Sequence, residues 1–90
     1  MLLQVTISGT AGKQVISTSN QGSLKCVALT PSAANATIKI RDGNASGEIV
    51  LFARATSANG TLIIPVTHKF TKGMHVKIIG TLAEAYLVIN

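Results

Sequence analysis

The sequence predicts an all-β fold: a small single-domain antiparallel β-sandwich, jelly-roll or Ig-like, spanning residues 1–90. Three observations lead there. Val, Ile, Leu and Thr fall in short runs of strand length, several with period-two alternation. Gly, Asn, Asp, Ser and Pro fall between the runs, where turns need them. No stretch of ten or more residues carries a 3.6-residue apolar stripe with caps. Strands at this spacing suit a sandwich or a small barrel.

Taken in order, the expected strands are Leu2–Ser8, Gln14–Ser17, Leu24–Thr30, Ala36–Asp42, Glu48–Ala55, Thr61–Val66, Met74–Gly80 and Ala85–Asn90. In the first, Leu3, Val5 and Ile7 alternate with Gln4, Thr6 and Ser8. The fourth is the clearest: Ala36, Ile38 and Ile40 on one side, Thr37, Lys39 and Arg41 on the other. In the seventh, Met74, Val76 and Ile78 alternate with His75 and Lys77. The fifth and eighth are apolar on both faces. Ile49, Leu51 and Ala53 oppose Val50 and Phe52, and Tyr86-Leu87-Val88-Ile89 behaves likewise. Between strands, Asp42-Gly43-Asn44 and Ala58-Asn59-Gly60 supply residues that tolerate positive φ. Gly9–Gly12 and Lys72-Gly73 mark further boundaries, and Pro31 closes the third strand. Pro65 makes the sixth strand an edge, or ends it.

Composition narrows the function. Ninety residues give a marginal core. The chain is 47% hydrophobic and only 12% charged, about half the usual ~25%. Ser, Thr, Asn and Gly are expected to cover much of the surface, and another protein to cover part of it. The lone Cys26 cannot form an intrachain disulfide and reads as a small buried hydrophobe, with an intermolecular bridge or a reactive thiol as the alternative. Met1-Leu2-Leu3-Gln4 has neither the basic segment nor the apolar core of a signal peptide, and no apolar run nears the ~18 residues of a bilayer span. No membrane association is expected.

Candidate chemistry is sparse. His68, His75, Asp42, Glu48, Glu84 and Cys26 are the groups available for a metal or catalytic centre. None has ligand spacing such as Cys-x-x-Cys, so no metal or other cofactor is expected. Cys26 lacks an evident base. Asp42 and Glu48 flank one turn and could approach each other, but the plainer reading is a solvated hairpin end. His75, on the polar face of its strand, is expected to be solvated. Asn35-Ala36-Thr37, Asn44-Ala45-Ser46 and Asn59-Gly60-Thr61 match a glycan acceptor triplet but read as turn chemistry. No catalytic residue is assigned.

The net charge is +5. Lys69, Lys72 and Lys77 are the densest cationic group in sequence, and Lys39 and Arg41 share a strand face. These five form the expected basic docking surface. Nucleic acid is a minority reading, because Phe52, Phe70 and Tyr86 do not interleave with the basic strand as stacking platforms should.

The cadence of residues 36–90 is a further guide. Ala36-Thr37-Ile38-Lys39-Ile40-Arg41-Asp42-Gly43, a turn through Ala45-Ser46-Gly47, and then Glu48–Arg54 lead to Leu62–Val66. Phe70-Thr71-Lys72-Gly73-Met74-His75-Val76 and a Gly80-Thr81 turn follow. This resembles small β-rich virion structural proteins of tailed bacteriophages. The resemblance implies a non-enzymatic virion part, such as a head decoration (cement) protein or a fibre or spike base. It implies the major capsid protein or another virion protein as partner, and the capsid surface as location after synthesis in the host cytoplasm. The leftover apolar residues Val50, Phe52, Leu87 and Ile89 are the expected interface of a closed homo-oligomer, and the resemblance to shell-decorating proteins implies a trimer as one form of it. The alternative is a small basic β-domain that binds nucleic acid or carbohydrate.

Overall fold

Eight strands form two antiparallel sheets in the computed structural model, which describes residues 2–6, 12–32, 34–80 and 83–89. They are β1 (Leu2–Thr6), β2 (Lys13–Ile16), β3 (Gly22–Thr30), β4 (Ala36–Asp42), β5 (Glu48–Ala55), β6 (Leu62–Phe70), β7 (Met74–Ile79) and β8 (Glu84–Ile89). The first sheet has the order β1-β8-β3-β6 and the second β2-β7-β4-β5. The described residues contain no helix. The all-β sandwich expected from the sequence is therefore present. Ile7 and Ser8, most of the Gly9–Gly12 turn, Thr81 and Asn90 lie outside the described residues, as does the side-chain alternation of β1.

One core lies between the sheets. The first sheet contributes Leu24, Val27, Leu29, Phe70, Ala85, Leu87 and Ile89, and the second contributes Ala36, Ile38, Ile40, Met74, Val76 and Ile78. These are the alternating inward positions of each strand, which is how two sheets about 10 Å apart fill their shared interior. β4 and β7 follow period two without interruption, so the sequence reading of their faces holds.

The departures have local causes. β6 runs through Pro65 to Phe70 rather than stopping at Val66. It is an edge strand, paired on one side only, so a residue without an N–H interrupts little. A bulge lies between Leu24 and Cys26, where the register to both β6 and β8 shifts. It turns Cys26 outward, and this residue is half-buried on the outer face rather than part of the core. A second bulge sets Ile40 against Leu51 but Arg41 against Ile49. It leaves Val50 packed against the core edge together with Leu51 and Ala53.

Three turns meet at one end. The Gly73 amide donates to the Asn20 carbonyl (2.8 Å), and the Gly73 carbonyl accepts from the Gly43 amide (3.0 Å). Gln14 Nε2 adds a donation to the Gly43 carbonyl at 2.6 Å. Gly73 has φ +82° and is buried, and a Cβ there would collide with the carbonyls of Ile16 and Ser17.

Candidate binding faces

Each sheet turns one face to the core and one to solvent, and the two solvent faces differ in chemistry. On the second sheet, cross-strand register builds three outward rows: His75–Arg41–Ile49, Lys77–Lys39–Phe52 and Ile79–Thr37–Arg54. Four fixed cations, Lys39, Arg41, Arg54 and Lys77, thus share one face. No acid stands in these rows. Lys39 and Lys77 are direct cross-strand partners, a like-charge arrangement that costs stability.

Phe52 stands among these cations with 62% of its surface exposed. Lys39 Nζ lies 5.4 Å from its ring centroid, within cation–π range. The sequence reading held the aromatic residues apart from the basic strand. The structure corrects that, because register brings β5 beside β4 and sets Phe52 against Lys39. Arg54 was missed, although its spacing of two from Phe52 assigns both to one face.

His75 is half-buried rather than solvated, and its Nδ1 is shut off from solvent without a hydrogen-bond partner. Burial, followed by the charges of Arg41 and Lys77, holds its pKa below 6.5. Arg41 is fixed in turn by donating from Nη1 to the Gly47 carbonyl at 2.7 Å.

The expected docking set therefore divides in space. Lys39, Arg41 and Lys77 are on the second sheet's outer face. Lys69 is on the outward side of β6 in the other sheet, and Lys72 is in the β6–β7 turn. Closeness in sequence placed them together, but the alternation of β6 and the sandwich corner separate them.

The outer face of the first sheet is largely uncharged. Its central rows are Val88–Cys26–Pro65 and Tyr86–Ala28–Ile63. Ile63 is 66% exposed and Val88 39%. Among the described residues its charges lie toward the ends: Glu84, paired with Thr30, at one, and Lys69, paired with Ser23, and the exposed bulge residue Lys25 toward the other.

The expected oligomer interface needs correction here. Leu87 and Ile89 are 0% and 5% exposed and belong to the core, so they cannot form a surface. β8 is apolar at both parities and the wrong parity was turned outward; Tyr86 and Val88 are the outward residues. Val50 is half-buried against the core, and only Phe52 of the four is largely exposed.

The titratable groups are scattered. His68 Nε2 lies 3.1 Å from Asp42 Oδ2 in a partly buried pair that links β6 to β4 across the sheets. Glu48 is Asp42's register partner but is exposed at the hairpin end. Among the described residues, no three of His, Cys, Asp and Glu gather where they could hold a metal. An open depression lined by Ile16, Ser19, Asn20, Gln21, Phe70, Thr71 and Ile89 contains no titratable side chain. A second, beside Asp42, adds only Lys72. No family model, curated protein or solved structure matches the chain.

Proposed function

We propose that this chain is a non-enzymatic structural accessory protein of a phage virion, a decoration or cement protein that docks on the outer shell as an oligomer. The observation that carries the docking is the outer face of the second sheet, whose three outward rows hold Lys39, Arg41, Arg54 and Lys77 and no acid among the described residues. Such a face attracts an anionic surface and steers its approach. The opposed Lys39–Lys77 pair is a fold-level cost that an anionic partner would offset. The resemblance in the strand-and-turn cadence of residues 36–90 supports the class of assembly proposed. Mass spectrometry of purified virions is the test: the chain should be present, and its absence sinks the reading. Binding of the isolated protein to shells should weaken with added salt and with Lys39→Glu or Arg54→Glu.

A second reading is favoured by Phe52. An exposed ring flanked by Lys39 and Arg54 combines a stacking platform with phosphate-binding cations. Single-stranded nucleic acid would then bind with an affinity that falls steeply with salt. Fluorescence anisotropy with an oligonucleotide separates the two: no binding at low salt removes the nucleic-acid reading.

A further inference from the structure

We infer that two copies of this chain pair face to face through the outer side of the β1-β8-β3-β6 sheet, about a two-fold axis running across the strands. This deepens the oligomeric part of the reading above and rests on that part alone.

Two observations select this face and this occupant. The first is where the positive charge lies. Pairing through the second sheet would bring Lys39, Arg41, Arg54 and Lys77 of each copy within about 10 Å of their counterparts, the usual sheet-to-sheet distance. Pairing through the first sheet stacks four layers and leaves the two basic faces outside, about 30 Å apart. That exceeds three Debye lengths of ~8 Å at physiological salt, so their repulsion is screened. A second copy is thus admitted on one side and repelled on the other.

The second observation is the charge order along the face. Glu84 marks one end, and Lys69 and the exposed bulge residue Lys25 lie toward the other. Lys25 is five residues along β3 from Thr30, the register partner of Glu84, a separation of about 17 Å. Among the described residues none of the three has an ion-pair partner within the chain. A two-fold axis across the strands reverses the strand direction in the facing copy. Glu84 of each copy then comes to the end where the other carries Lys25 and Lys69. The rows Val88–Cys26–Pro65 and Tyr86–Ala28–Ile63 close between these charged ends. The face is complementary to itself in both apolar and charged parts, as a two-fold contact requires. An axis parallel to the strands would set like charge over like.

Sedimentation equilibrium on the isolated protein tests this. The expected mass is twice 9.3 kDa, falling toward one chain on dilution. Ile63→Lys should give a monomer with an unchanged far-ultraviolet circular dichroism spectrum, since Ile63 is 66% exposed. Phe52→Asp, on the other sheet, should leave the dimer intact. Glu84→Lys should weaken dimerisation by about tenfold, equivalent to ~1.4 kcal/mol, and Lys25→Glu in the same chain should restore it. A monomer at 100 μM, a trimer, or a dimer lost with Phe52→Asp but retained with Ile63→Lys would overturn the inference. So would a Glu84→Lys defect that Lys25→Glu fails to repair. A dimer of a chain that is absent from virions would refute the virion reading and leave this one standing.

Discussion

Lys39 and Lys77 face each other directly across β4 and β7, with no acid in the adjoining outward rows. Two ammonium groups at this spacing repel, and a cross-strand pair of this kind is worth roughly 0.2–1 kcal/mol. Lys77→Glu turns repulsion into attraction. Its Tm should rise by a few degrees while its hold on anionic surfaces falls. A lowered Tm would mean that the two ammonium groups already splay apart into solvent.

His75 gives a pH dependence with a definite sign. Its folded pKa lies below 6.5 because of burial first, and the charges of Arg41 and Lys77 second. The unfolded chain therefore binds more protons between the folded pKa and 6.5. This contribution to stability is complete above 6.5 and is lost as pH falls through the folded value. Thermal melts at several pH values should show a drop below 6.5 that is smaller in His75→Gln. An NMR titration of His75 with a midpoint above 6.5 would contradict the account.

Gly73 and Gly60 both have positive φ, +82° and +73°, but different surroundings. At Gly73 an added Cβ meets the carbonyls of Ile16 and Ser17; at Gly60 it meets nothing within 4 Å. Gly60→Ala should cost only the conformational penalty of roughly 1–2 kcal/mol. Gly73→Ala should cost more, because the backbone must move. Chemical denaturation of the two variants compares them, and equal losses would refute the steric argument.

Leu87 and Val88 are adjacent and face opposite ways. Leu87 is fully buried and Val88 is 39% exposed. Leu87→Ala should destabilise by about 2–5 kcal/mol, enough to unfold much of so small a domain. Val88→Ala should cost far less in the fold and instead reduce self-association. Equal losses in denaturation would reverse the face assignment of β8.

These residues also show what could be read from sequence. β4 was legible because Thr37, Lys39 and Arg41 alternate with Ala36, Ile38 and Ile40, so polarity itself names the outer face. β8 was legible as a strand but not as an orientation, since Tyr86, Leu87, Val88 and Ile89 offer apolar atoms at both parities. In β5 the bulge opposite Ile40 and Arg41 breaks the parity on which any face assignment depends. The basic face was legible in part: Lys39, Arg41 and Lys77 follow from period two, Arg54 shares the parity of Phe52 but is set beside β4 only by the β4–β5 register, and Lys69 was grouped with them only through nearness along the chain. The closeness of Phe52 to Lys39 is a tertiary fact, invisible until β5 is set beside β4.

The joining of three turns by Gly73 gives the molecule two unlike ends. At one, the backbone near Asn20, Gly43 and Gly73 is cross-linked by main-chain hydrogen bonds, so a change in any one turn is felt by the others. At the opposite end, Ser57-Ala58-Asn59-Gly60 is exposed and held mainly by its own turn bonds to Thr56 and one contact from Asn35. For anyone grafting a peptide onto this scaffold, the second end is the natural insertion point. Evolution faces the same asymmetry: length changes should collect around Asn59, while the Gly73 end keeps its geometry.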